Sequence, residues 1–359
     1  MSCSSSFPSL LISNIEGTSL TEEDREFLQH PGLAGIILFA RNYENRQQLA
    51  RLINEIRLQR PGMLVCVDQE GGRVQRFQKG FTQLPPMAVL GELYQKDPAE
   101  SLAVARRAGW VMAVELLAAE IDLSFAPVVD VDKDTSSIIG DRAFSENPQA
   151  VSQLSAAFIQ GMQSAGMKSC AKHFPGHGGI AEDSHLASAS DNRSWQTLFE
   201  RDLLPYRSIT NAYDAVMTAH IRYPEIDDQI ASYSSIWIND ILRKQLQFRG
   251  LVISDDLSMV GAGRVSSDVA EASPSARSEA ALAAGCDLLI SCNDRKASIE
   301  ILESFQSSEA LKARWSEKAQ QTGDSIARIL LAKRYHQLPE LIASPIYKAA
   351  KQSVLDLAA

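Results

Sequence analysis

Fourteen residues, Lys172-His173-Phe174-Pro175-Gly176-His177-Gly178-Gly179-Ile180-Ala181-Glu182-Asp183-Ser184-His185, hold three of the chain's six histidines. The same stretch carries a lysine, an acidic pair and three glycines. It follows a short apolar run that reads as a strand, and its proline and glycines let the backbone leave regular structure for a loop. Titratable side chains at such an exit suit proton transfer and the binding of a polar substrate. A second concentration is Ser254-Asp255-Asp256-Leu257-Ser258-Met259, where two adjacent carboxylates end another apolar run. Neighbouring strand residues face opposite ways, so one of the pair is expected to point into a shared mouth. Asp68, Asp130 and His220 also stand where apolar runs give way to loops. Together with Arg142, Lys172 and His173, these groups set carboxylates beside fixed cations and donors. That arrangement suits a neutral polyhydroxylated ligand such as a sugar.

Blander readings of the histidines stand beside this one. His173, His177 and His185 are possible zinc ligands, but His-x3-His presents both rings on one face only in a helix. Pro175-Gly176 inside that spacing forbids the helix. His177 fits a structural role packing the Gly-rich turn, and His220 fits a satisfied core histidine.

Such groups need a frame. Eight short apolar runs recur along the chain: Leu10 to Ser13, Gly35 to Ala40, Leu64 to Asp68, Leu123 to Val129, Met167 to Phe174, Ala215 to His220, Leu251 to Asp256 and Cys286 to Ser291. Helical patterns separate them. Thr21 caps a helix with acids in its first turn, Leu49, Leu52, Ile53 and Ile56 recur at helical spacing, and Asn147-Pro148 opens another helix. A helix is expected near 195–211, a Ser-capped one, from Ser234 or Ser235, runs to Leu246, and residues after about 295 read as outer helices. Uninterrupted apolar strands alternating with amphipathic helices predict a parallel sheet covered on both faces. Eight of them close into an α/β (β/α)8 TIM barrel, whose catalytic groups collect at the C-terminal strand ends. An open doubly wound sheet is the competing architecture, disfavoured because no Gly-rich dinucleotide fingerprint follows the first strand. The expected organisation is one domain over residues 1–359, with a core about 8–300 and a helical extension about 300–359.

The 359 residues are 45% hydrophobic and 22% charged, as in an ordinary globular protein. A formal net charge of −9 argues against nucleic acid or an anionic membrane as partner. Five cysteines are an odd count, several within apolar runs, so free thiols and a reducing compartment are expected. The N-terminus lacks the pattern of a secretory signal, Cys3 is not read as a lipidation site, and no apolar run reaches bilayer length. A cytoplasmic protein is the resulting expectation.

The chain resembles the glycoside hydrolase family 3 β-N-acetylhexosaminidases of the single-domain bacterial type. Eight stretches, in family order, carry the resemblance: Ile36 to Asn42 (IILFARN), Asp68 to Val74 (DQEGGRV), Phe125 to Val131 (FAPVVDV), Gly140 to Ser145 (GDRAFS), Lys172 to Gly178 (KHFPGHG), Asp183-Ser184-His185, Met217 to His220 (MTAH) and Ser254 to Met259 (SDDLSM). The resemblance implies that Asp255 is the nucleophile and that His185 with Asp183 is the acid/base dyad on a loop. It implies that Asp68, Arg76, Arg142, Lys172 and His173 hydrogen-bond the hydroxyls of N-acetylglucosamine. The wider family's two-domain β-glucosidases lack the Asp-Ser-His loop and match less well. Gly179 to Glu182 is variable territory, and Arg264 to Ser278 is longer and richer in serine than the family pattern. The implied activity is retaining removal of terminal β-linked N-acetylglucosamine, with N-acetylglucosaminyl-anhydromuramyl fragments of peptidoglycan as substrates and no metal or organic cofactor. The chemistry is self-consistent. A histidine titrates near 6.5, so it needs little shift to donate a proton, and an adjacent aspartate favours its charged form. A phosphorylase on the same site and a zinc-dependent barrel hydrolase are the alternatives.

Overall fold

The structure is a computed structural model that describes residues 9–132, 136–180, 189–263, 271–307 and 338–358. Among these, eight strands form one sheet: β1 (Leu11–Ser13), β2 (Leu33–Leu38), β3 (Leu64–Val67), β4 (Leu123–Ser124), β5 (Cys170–Phe174), β6 (Ala215–Thr218), β7 (Leu251–Asp256) and β8 (Leu288–Ile290). Every pairing around the ring is parallel, and β8 returns to β1. Most strand residues are fully buried, as a sheet with helices outside and packed side chains inside requires. The continuous apolar runs follow from that burial on both faces.

The ring closes between β4 and β5 in an irregular way. The expected strand to Val129 is a regular ladder only at Leu123–Ser124. Pro127 has no N–H to give a ladder, so the segment changes partner around it. Phe125 N still donates to Val67 O at 3.0 Å, whereas Cys170 N donates to Ala126 O at 2.9 Å and Val129 N to Lys172 O at 2.8 Å. The switch delivers Asp130 to the top of the barrel beside β5.

Local signals set the helix starts. Thr21 and Asp24 exchange side-chain and backbone hydrogen bonds in a capping box ahead of helix Glu22–Leu28. Asn45 caps Arg46–Gln59, and Asn147 caps Pro148–Ala165. Ser234 Oγ accepts from Trp237 N at the head of Ile236–Gln245. The expected helix near 195–211 is two short ones, Trp195–Glu200 and Leu203–Ser208. They are broken where Asp202 turns inward to Arg193. Outside the barrel, Tyr347 of helix Pro345–Ala358 donates to the buried Glu115 at 2.5 Å, so the C-terminal helix is fastened to Pro98–Ala118. Among the described residues, Cys66, Cys170, Cys286 and Cys292 are buried thiols outside any disulfide. Among the described residues, no helix is long and apolar enough to cross a membrane.

Candidate active site

The ends of β2, β3, β5, β7 and β8 open onto a cavity of about 520 Å³ lined by Asp68, Glu70, Arg76, Arg142, Lys172, His173, Asp255 and Asp256. Phe39, Phe125, Met217 and Met259 supply its apolar walls. A lining of both charged and apolar side chains fits a sugar ring, which has hydroxyls at its edge and C–H groups on its faces.

Five of the charged lining residues form one ion network. Lys172 Nζ lies 2.8 Å from Asp68 Oδ1 and 2.6 Å from Glu70 Oε1. Arg142 grips Glu70 with two parallel bonds, Nε to Oε2 and Nη2 to Oε1, both 2.8 Å. Arg76 Nη2 reaches Asp68 Oδ2 at 3.3 Å. Burial alone pushes both carboxyls up, but the cations overcome it. Lys172 and Arg76 hold Asp68 well below the usual carboxylate range, and Arg142 and Lys172 bring Glu70 to about 2. Burial works against the charge of Lys172, yet Asp68 and Glu70 raise its pKa on balance. The network therefore stays ionised at neutral pH, with donors already aimed by their partners.

Asp130 orients the next member. Its carboxylate accepts from the backbone N of His173 and lies 2.8 Å from His173 Nδ1. It also accepts from His177 N at 2.7 Å. Bound in this way, Nδ1 carries the proton, and Nε2 of His173 is the nitrogen left for a ligand. The ladder to β6 skips a residue here, pairing Lys172 with Met217 and Phe174 with Thr218. Lys172 and His173 both reach the cavity although they are neighbours in a strand.

A register shift also lies at the end of β7, beside the two aspartates. Ile253 pairs with Leu288 and Asp256 with Ile290, so β7 spends one residue more than β8. The bulge adjoins both aspartates, and Asp255 and Asp256 both border the cavity. Their surroundings separate them. The Asp256 carboxylate takes Ser258 N at 2.9 Å, Ser258 Oγ at 2.8 Å, Cys292 N at 3.0 Å and Cys292 Sγ at 2.9 Å, tying β7 to the loop after β8. Its own N–H donates to Asp255 Oδ1 at 2.8 Å. His220 lies with Nε2 3.1 Å from Asp256 O. Burial lowers the pKa of His220 despite Asp255 and Asp256, so the ring is neutral at pH 7 and Nε2 donates. Asp256 is thus a brace, with Asp255 held by its backbone.

Of the sequence-derived candidates, the fold assembles Asp68, Arg76, Arg142, Lys172, His173 and Asp255 around one cavity. Asp183 and His185 lie outside the described residues, as does the first part, 264–270, of the Ser-rich stretch 264–278. Arg142 has a structural commitment the sequence did not announce, its guanidinium being spent largely on Glu70 and on Ile138 O at 3.1 Å. Sequence reasoning passed over Glu70. The signal was its position two residues after Asp68, which repeats the strand period. Asp130 was noted as a strand-end acid without a role. His177 is buried, and burial together with the nearby His173 depresses it to about 4, as suits a structural ring kept neutral. Among the described residues, no three His, Cys, Asp or Glu side chains converge to hold a metal ion.

Comparison with known proteins gives a consistent picture. The model of the glycosyl hydrolase family 3 N-terminal domain matches residues 10–330. A β-hexosaminidase of Tolumonas auensis is 47% identical over 307 residues, covering 84% of this chain and 88% of that protein. One from Nitrosomonas eutropha is 46% identical over 338 residues, covering 93% and 95%. NagZ from Neisseria gonorrhoeae, solved in native form, superposes with a TM-score of 0.85 at 37% identity and covers 98% of both chains. The same protein has been solved in complex with N-trifluoroacetyl-D-glucosamine, also at 0.85, and with zinc ion, at 0.84.

Proposed function

The chain belongs to glycosyl hydrolase family 3 and is a β-N-acetylhexosaminidase, and we propose that it removes terminal β-linked N-acetylglucosamine with retention through a glycosyl–Asp255 intermediate. The observation that carries this reading is the place of the Asp255 carboxyl in the cavity wall. It ends β7, accepts from Asp256 N, and lines the same cavity as a preformed set of ionised donors and acceptors. Asp68, Arg76, Lys172 and His173 hydrogen-bond the sugar hydroxyls, and Arg142 sets Glu70 and so Lys172. The Asp255 carboxylate attacks the anomeric carbon while the glycosidic bond breaks. His185, its charged form favoured by Asp183, gives the leaving oxygen its proton. Water then attacks the same carbon as His185 takes a proton back, and Asp255 is released as carboxylate. The gonococcal relative's complex with N-trifluoroacetyl-D-glucosamine supports an N-acylated glucosamine as the glycone.

The natural substrates on this reading are N-acetylglucosaminyl-anhydromuramyl fragments turned over in peptidoglycan recycling, in the cytoplasm. Treating the enzyme with a slow fluorinated N-acetylglucosamine analogue tests the mechanism. Mass spectrometry should find the label on the peptide holding Asp255; a label elsewhere, or a full burst with none, overturns it. Comparing products with and without inorganic phosphate separates hydrolysis from phosphorolysis. The zinc-dependent alternative is tested by dialysis against a chelator, which should leave the rate unchanged.

A distinguishing expectation concerns His185. Its replacement by alanine should cost about 10²-fold or more on an unactivated glycoside, which needs its leaving oxygen protonated, and far less on an activated aryl glycoside. Equal losses on both substrates would remove His185 from the acid role.

A further inference from the structure

Outside the cavity, the most elaborate charged cluster in the described molecule is Arg193 with Asp191 and Asp202. Arg193 Nε lies 3.0 and 2.9 Å from the two Asp191 oxygens, and Nη2 lies 2.6 Å from Oδ2. The other edge of the guanidinium meets Asp202, Nη1 to Oδ2 at 2.8 Å and Nη2 to Oδ1 at 3.0 Å. Both carboxylates are buried. Two buried acids on one arginine make a costly arrangement, since each charge leaves water and the acids repel. Burial outweighs Arg193 at Asp202 and raises its carboxyl to about 6. The chemistry at Asp255 makes no direct use of this cluster.

Its position gives it a use. The chain departs from β5 through Gly176, Gly178 and Gly179 to Ile180 and returns at Ala189, so the eight residues between include Asp183 and His185. The outgoing stem lies on the cluster. At Gly179 a Cβ would stand 2.2 Å from Arg193 Nη2, and at Gly176, where φ is +151°, a Cβ would stand 2.8 Å from the Asp202 side chain. Only glycine permits so close an approach. Tyr223 OH holds Gly176 O at 2.6 Å. The returning stem meets the same cation. Ala189–Ser190 pairs in parallel with Ile221–Tyr223, Asp191 N donates to Arg222 O at 2.8 Å, and Asp191 then chelates Arg193. One guanidinium therefore bears on both ends of the segment.

We infer that Arg193, fixed by Asp191 and Asp202, is a positioning residue for general acid catalysis, setting the two stems from which the Asp183–His185 dyad is presented to the leaving oxygen. The inference rests on the proposed role of His185. Arginine is required rather than lysine, because a planar fork can chelate two carboxylates at once while a glycine backbone stacks beside it, and an ammonium cannot.

The test is leaving-group dependence, which a general loss of fold does not produce. Arg193→Lys and Asp202→Asn are compared with the parent on an activated aryl β-N-acetylglucosaminide and on an unactivated alkyl one, with Tm recorded for each. The expected result is a fall in kcat/KM of about 10-fold to 10²-fold on the alkyl substrate, from a displaced acid, against about 3-fold or less on the aryl one. A parallel loss on both substrates, or no loss on either, overturns the inference. If Arg193→Lys fails to fold, Asp202→Asn decides, since it keeps the shape and removes one charge–charge contact. His185→Ala serves as the control. If it shows leaving-group dependence and the Arg193 and Asp202 variants do not, the positioning role fails and the mechanism stands. If His185→Ala itself shows none, the acid assignment fails first.

Discussion

Replacing Asp255 by alanine should lower kcat on an aryl β-N-acetylglucosaminide by about 10⁴-fold or more, the scale seen when a covalent nucleophile is removed. Stability should change little, because Asp255 is held at the rim while Asp256 ties β7 to the loop after β8. The paired experiment is Asp256→Asn. The amide keeps one oxygen for its donors but no longer offers two acceptors to Ser258 and Cys292, so this variant should lose Tm as well as activity. Initial rates and thermal unfolding of both variants check the division of labour. Near-parental activity in Asp255→Ala would end the assignment of the nucleophile. Full activity with an unchanged Tm in Asp256→Asn would end the account of the brace.

The second large effect is expected at Glu70→Gln. Glu70 is the anion between Lys172 and Arg142, and all three side chains are nearly inaccessible. Neutralising it leaves two cations facing each other, with Asp68 as the remaining counter-charge. Breaking a buried ion pair from one side costs about 3–5 kcal/mol. Urea unfolding at pH 7 should show that loss, and KM should rise as Lys172 and Arg142 move. The pH dependence has a definite sign. The folded carboxyl, at about 2, lies below its ordinary 4.5. Its contribution is therefore fully present above about pH 4.5 and is lost as pH falls through that window towards 2. Asp68, lowered in the same direction by Lys172 and Arg76, adds to the same acid limb. The parent should lose stability steeply below pH 4.5 and Glu70→Gln less steeply. An unchanged urea midpoint in the variant would show that the network does not hold the site.

Much of this architecture was legible from the chain alone. Continuous apolar runs mark strands buried on both faces, and the eight found in the sequence are the eight barrel strands, with shifted ends. Charged residues at the C-terminal ends of those runs marked the mouth, and Asp68, Lys172, His173 and Asp255 all line it. Helix starts were legible because capping is a matter of three or four neighbouring residues, as at Thr21 and Asn147. The helix expected over 195–211 divides because Asp202 has a partner, Arg193, whose pull no local periodicity encodes.

The sequence by itself determined the number and order of the strands, the residue types at their ends and the family they resemble, since each depends on patterns spanning a few positions. Only the tertiary structure decided which of those end groups bind one another. Lys172 and Asp68 are 104 positions apart, and Arg142 and Glu70 are 72 apart. The fold likewise decided the register shifts at β7 and β5, a property of pairing with their neighbours that neither strand carries alone. Spacing along a chain fixes what a segment can form, whereas the partners of a buried charge are fixed by which segments closure of the barrel brings within about 3 Å, the reach of a charged hydrogen bond.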